Sequence, residues 1–171
     1  FFVICITIIG SVIVTGNTQI KEDKDILIVQ SNKEVYFNVY GYSIDNPNVI
    51  VNPYGNSPLT ALVMFDSDNY SEVEITIKSK NGNSDISYKF DKDKYHMIPI
   101  YGLYANYENT VIIKSDGKEK IISIKTDELP DDFDIIYAGK DNYMFYNGNY
   151  PYAIDSDGEV RWYLNNNYYV I

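Results

Sequence analysis

The sequence predicts an all-β fold: a β-sandwich followed by the first, incomplete blade of a β-propeller. Three observations lead there. Apolar residues recur at every second position in several short runs, the period of a half-buried strand. Asn-Gly and Asp-Gly pairs lie between such runs, where tight hairpin turns need positive φ. No stretch carries a long, capped helical period. The composition agrees, with 18 Tyr among 171 residues and 15% aromatics, since Tyr, Ile, Val and Thr suit pleated surfaces.

The elements follow in order. Phe1 to Val14 is almost wholly apolar, and no charge precedes Lys21. The run is shorter than the ~20 residues of a membrane span and matches the apolar part of a secretory signal, with Gly16 near a cleavage point. Residues 1–16 are therefore expected to be a signal or anchor remnant, and 17–25 a polar spacer. The chain begins without Met, and a missing upstream segment is expected. Residues 26–125 read as the sandwich. Strands are expected at Ile26 to Val29, Glu34 to Tyr40, Val49 to Val51 and Leu62 to Phe65. In Ser71 to Lys78, Val73, Ile75 and Ile77 face inward and Glu72, Glu74, Thr76 and Lys78 outward. Asn81-Gly82 turns this strand into Ile86, Tyr88 and Phe90. Thr110 to Lys114 turns at Ser115-Asp116-Gly117 and returns over Lys120 to Lys125. The acidic, proline-broken run 126–132 reads as a linker. Residues 133–171 hold three or four further strands with an Asp157-Gly158 turn and Trp162 on the return, which suits one propeller blade. One blade cannot close a ring, so the chain is expected to continue beyond Ile171.

Charge and rare residues exclude whole classes of function. With 24 acidic against 14 basic side chains the formal net charge is -10. No basic face is available for nucleic acid or for an anionic bilayer, so membrane association is expected only through the N-terminal apolar segment. One cysteine, Cys5, forms no internal disulfide and reads as a small hydrophobe. One histidine, His96, excludes a two-histidine metal motif within the chain. No metal or cofactor site is expected.

Three constellations could carry chemistry. His96 would need a nucleophile or carboxylate in reach to act as a base. Asp91 and Asp93 are close in sequence with nothing to fix them in space, so a structural imidazole bonded to a loop is the favoured reading. Asp155-Ser156-Asp157-Gly158-Glu159 begins like a calcium loop, but the twelfth position is Asn166, and a hairpin turn is favoured. The clusters Tyr143-Met144-Phe145-Tyr146 and Tyr150-Pro151-Tyr152 could form a platform for an aromatic ligand or sugar, or could simply pack.

Three blocks resemble a known family. Asn52-Pro53-Tyr54-Gly55-Asn56-Ser57-Pro58-Leu59-Thr60-Ala61 is similar to the N-terminal domain signature of bacterial arylsulfate sulfotransferases. His96-Met97-Ile98-Pro99-Ile100-Tyr101-Gly102-Leu103-Tyr104, continuing through Tyr107-Glu108-Asn109-Thr110-Val111, resembles a second signature. Tyr152-Ala153-Ile154-Asp155 with Gly158-Glu159-Val160-Arg161-Trp162-Tyr163-Leu164 resembles the start of the family's propeller. The resemblance implies a sandwich ahead of a six-bladed propeller in an exported, extracytoplasmic enzyme. Such an enzyme moves a sulfuryl group from a phenolic sulfate donor to a phenol acceptor through a sulfohistidine, without a cofactor. The nucleophilic histidine is expected beyond Ile171, so no catalytic residue is carried over, and Arg161 matches a framework motif. The sandwich is expected to pack on the propeller or on a second subunit of a homodimer. The rival reading is a surface-exposed binding module for carbohydrate or a partner protein.

Overall fold

A computed structural model describes residues 41–135 and 149–165 in full. By backbone alone it describes the strands β1 (Thr7–Ile8), β2 (Val12–Ile13), β3 (Asp25–Gln30), β4 (Lys33–Asn38) and β10 (Met144–Asn147). The signal or anchor expected over 1–16, the spacer 17–25 and the end of the chain beyond Asn165 otherwise lie outside the described residues. No helix among the described residues is long and apolar enough to cross a membrane.

The described elements are all strands. β5 (Asn48–Val51), β6 (Thr60–Ile77), β7 (Ile86–Tyr101), β8 (Glu108–Ser115) and β9 (Lys118–Lys125) form one antiparallel sheet. β6 lies at its centre. β7 runs along one side of β6, while β5 pairs with its first half and β8 with its second. β3 and β4 pair with each other in a separate two-stranded sheet.

The alternation read from Ser71 to Lys78 is present, with Val73, Ile75 and Ile77 fully buried. Each such side chain contributes roughly 1.5–3 kcal/mol by leaving water. The turn at Ser115-Asp116-Gly117-Lys118 has φ +47° at Asp116 and +72° at Gly117. Two successive positive φ values make the type I′ hairpin that Asp-Gly favours, because its twist matches that of the flanking strands.

Leu62 to Phe65 and Ser71 to Lys78 look like two strands in sequence, because the polar run Asp66-Ser67-Asp68-Asn69-Tyr70 parts them. In the structure they are the two halves of β6. Register against β7 slips between Asp66 and Ser71 and again between Ser71 and Val73, and bulges of this kind bend a strand. The bend is large. Tyr88 Oη donates to the Pro99 carbonyl at 3.1 Å and accepts from Tyr101 N at 3.2 Å. Along a straight strand these residues would be roughly 40 Å apart. The β6–β7 hairpin therefore folds back on itself. The two layers that the sequence suggests as separate sheets are two halves of one curled sheet, with a bulged corner between them. In the main core Ala61, Val63, Phe65, Ile98 and Ile100 from one half meet Val73, Ile75, Ile77, Val111 and Ile113 from the other, and Leu62 and Met64 form a second, smaller buried cluster.

Closure of the layers fixes Gly102. Its φ is +93°, and a Cβ there would lie 2.3 Å from Ile86 Cδ1. Gly102→Ala is expected to destabilise the domain by about 1–3 kcal/mol through backbone strain and this clash. Pairing it with Ile86→Val should recover only the steric part, as read by urea denaturation of the three variants.

β10, β11 (Pro151–Ile154) and β12 (Val160–Tyr163) form a three-stranded antiparallel meander. Its turn is Asp155-Ser156-Asp157-Gly158, as the hairpin reading expects, with Gly158 at φ +80°. Phe133 stacks on Tyr150 at 5.3 Å and meets Tyr152 and Tyr163 edge-on. Tyr152 is buried, so this member of the Tyr150-Pro151-Tyr152 cluster packs, and Tyr163 on the neighbouring strand is buried beside it. Tyr143 lies outside the described residues, and only the backbone of Met144 to Tyr146 is described.

Candidate functional site at the junction built around Arg161

Arg161 is the sole arginine of the chain. It stands on β12, is 1% exposed, and points at the sandwich. Its Nε donates to the Gly102 carbonyl at 2.8 Å, and its Nη1 donates to Tyr104 Oη and to Asp155 Oδ2, both at 2.8 Å. Its Cζ sits 3.7 Å from the centre of the Tyr104 ring. Asp155 is fully buried. Its other oxygen accepts from Asp157 N and Glu159 N, so one carboxylate both closes the turn and balances the guanidinium. A buried charge pair survives only where hydrogen bonds support it; here both Asp155 oxygens and Arg161 Nε and Nη1 are bonded, while Arg161 Nη2 is buried without a partner among the described residues. Burial raises the Tyr104 hydroxyl to about 12, against a smaller opposing pull from Arg161. It stays protonated at neutral pH and can accept from Arg161 while donating to Asp155.

The sandwich side is built by a second residue. Asn109 on β8 is fully buried. Its Oδ1 accepts from Tyr104 N at 2.8 Å, and its Nδ2 faces the carbonyls of Tyr104, Tyr107 and Ile124 and the Thr126 hydroxyl. A loop with few bonds of its own is thus pinned in the shape that presents Gly102 and Tyr104 to Arg161. The acidic segment 126–132 joins this bracket. Thr126 is buried and donates to the Tyr104 carbonyl, and Asn106 N donates to the Asp127 carbonyl at 2.8 Å.

Around this centre lies a polar rim. Lys80 Nζ sits over the Tyr104 ring at 4.6 Å and the Tyr107 ring at 5.2 Å, and pairs with Glu159 at 3.1 Å. Asn81 Nδ2 donates to Asp157 Oδ2 at 2.7 Å, and Ser84 Oγ donates to the same oxygen at 3.0 Å. Asn165 N donates to the Asn56 carbonyl at 2.8 Å. All three sequence blocks meet here. The first supplies Asn56 and, through the Leu59 carbonyl, holds Leu103 N at 3.3 Å. The second supplies Gly102, Tyr104 and Asn109; the third supplies Asp155 and Arg161. Sequence reading placed Arg161 in a framework motif without finding its partners. The signal was there: a lone arginine on the return strand of an Asp-Gly turn, six residues after an aspartate.

His96 is elsewhere, at the bulged corner, and 2% exposed. Its Nε2 lies 3.0 Å from Ser67 Oγ and 3.3 Å from Ser71 Oγ, and its ring packs on Phe65. Ser71 bonds Ser115 at 2.8 Å, Ser115 donates to the Glu72 carbonyl at 3.0 Å, and Ser67 donates to the Asn69 carbonyl at 2.9 Å. Every hydroxyl finds an acceptor when Nε2 carries the proton. In that arrangement His96 donates and Ser67 is not activated as a nucleophile. Asp93 turns its carboxylate to Lys94 N and Tyr95 N. Among the described residues no group of three or more His, Cys, Asp or Glu side chains is placed to hold a metal.

Burial is the main influence on His96 and lowers its pKa, against a smaller opposing pull from Asp93. With the folded pKa below the unfolded one, the unfolded chain binds the extra proton. Stability is then full above the unfolded pKa of about 6.5 and falls as pH drops through the folded value. His96→Gln should flatten urea stability between about pH 7 and pH 5, since the chain has no second histidine. An unchanged slope would refute the assignment.

A curled all-β domain, with a buried arginine joining it to the strands that follow, is the class of protein that this geometry defines. Residues 48–128 match the family model described as the arylsulfotransferase Ig-like domain. Arylsulfate sulfotransferase AssT of Escherichia coli O6:H1 is 43% identical over 76 residues, which is 41% of this chain and 13% of that protein. The enzyme of the same name from Lelliottia amnigena is 39% identical over 70 residues, 39% of this chain and 12% of its own length. The match thus spans about an eighth of the length of these relatives.

Proposed function

We propose that this chain is the N-terminal part of an exported arylsulfate sulfotransferase, and that its β domain supports the catalytic part without doing chemistry. The complete enzyme would move a sulfuryl group from a phenolic sulfate ester to a phenol through a covalent histidine intermediate. Imidazole is nucleophilic at neutral pH, and an N-sulfonated intermediate splits one displacement into two. The meander β10–β12 is read as the first blade of a propeller that would carry that histidine, with 126–132 as the connection to it.

The observation that carries this reading is the convergence of the three family blocks on Arg161. In this reading the signature residues hold one domain to the next. His96 is tied to serines and packed on Phe65, as a structural residue would be. The test is an assay of the purified 171-residue chain with an aryl sulfate donor and a phenol acceptor. No transfer is expected. Measurable transfer would overturn the supporting role.

A further inference from the structure

Asn81-Gly82 lies on the exposed β6–β7 loop, and Asn81 holds that loop to the β11–β12 turn through Asp157. We propose that Asn81 is a self-modification site whose conversion to aspartate loosens the junction. The chemistry needs water alone as co-reactant. Gly82 N attacks the Asn81 side-chain carbonyl and a C–N bond forms. The Cγ–Nδ2 bond breaks, and the proton from Gly82 N leaves with the departing nitrogen as ammonia. Water then opens the succinimide to aspartate or isoaspartate.

Three features of the loop favour that step. Gly82 carries no Cβ to shield its nitrogen, and nothing lies within 4 Å of where one would stand. Asn83 N donates to Asn81 Oδ1 at 3.1 Å. It is placed to stabilise the negative charge that grows on that oxygen as the nitrogen adds, the role of an oxyanion donor. Asn81 itself is open to the water that completes the reaction.

The product reverses the contact. A donor 2.7 Å from Asp157 Oδ2 becomes a carboxylate facing a carboxylate. The Asp157 carboxyl is held below its usual range chiefly by the hydrogen bonds from Asn81 and Ser84, so it is ionised at neutral pH and the two charges repel. Ser84 and the Lys80–Glu159 pair remain, so the rim loosens while Arg161 stays in place.

The test has two arms on the 171-residue chain. Folded protein is held at pH 8 and 37 °C, and the peptide spanning residues 79–89 is followed by mass, where conversion adds about 1 Da. Conversion at Asn81 in the folded chain is expected, and Asn81→Gln, which does not readily close a five-membered ring, should abolish it. Complete protection when folded, with conversion in urea, would overturn the proposal. In the second arm Asn81→Asp is compared with wild type by hydrogen exchange. Faster exchange over 80–85 and 155–159 is expected, with 108–115 unchanged; identical exchange over both loops would overturn the loosening.

Discussion

Arg161→Met is expected to lower the stability of the meander and its junction by about 3–5 kcal/mol, because it strands the fully buried Asp155 carboxylate without its counter-charge. It also frees the Gly102 carbonyl and Tyr104 Oη. The readout is hydrogen exchange over 151–163, together with urea denaturation. Adding Asp155→Asn should recover a large part of the loss, since an amide oxygen can still accept from Asp157 N and Glu159 N while the orphaned charge disappears. A single variant within about 1 kcal/mol of wild type would show that the ion pair does not organise the junction.

The second large effect is expected at Asn109. Asn109→Ala removes the acceptor of Tyr104 N and the donor facing three carbonyls. Tyr104 N is left without its acceptor, while the Tyr104 and Tyr107 carbonyls keep bonds from Thr126, so a loss of about 1–3 kcal/mol is expected. The loop that carries Gly102 and Tyr104 should lose its shape, and the damage should reach Arg161. A double-mutant cycle with Arg161→Met measures this. Effects that share one network should fall short of additivity by about 0.5–3 kcal/mol. Strict additivity would place Asn109 in the sandwich alone.

Arg161 finds Gly102 and Tyr104 at 59 and 57 positions' distance along the chain, and the contrast between local and distant partners runs through the rest of the molecule. Periodicity and turn chemistry are local. Val73, Ile75 and Ile77 alternate with polar neighbours, and Asp116-Gly117 supplies the two positive φ values of its turn, so strand faces and hairpins could be read before any fold was known. The three signature blocks could be found as strings, but not as a surface. Asn56, Gly102, Tyr104, Asp155 and Arg161 span 106 positions, and nothing in their spacing says that they touch.

The sequence by itself determined an all-β chain, its main hairpins and the arylsulfotransferase resemblance. Tertiary structure alone decided that two apparent strands are one, bent at a serine-lined corner, and that the lone arginine is the pin of the junction. The physical reason is range. Side-chain alternation and turn propensity are set by neighbours along the chain, whereas a bulged corner or a buried ion pair is stable only once the layers that exclude water around it have closed.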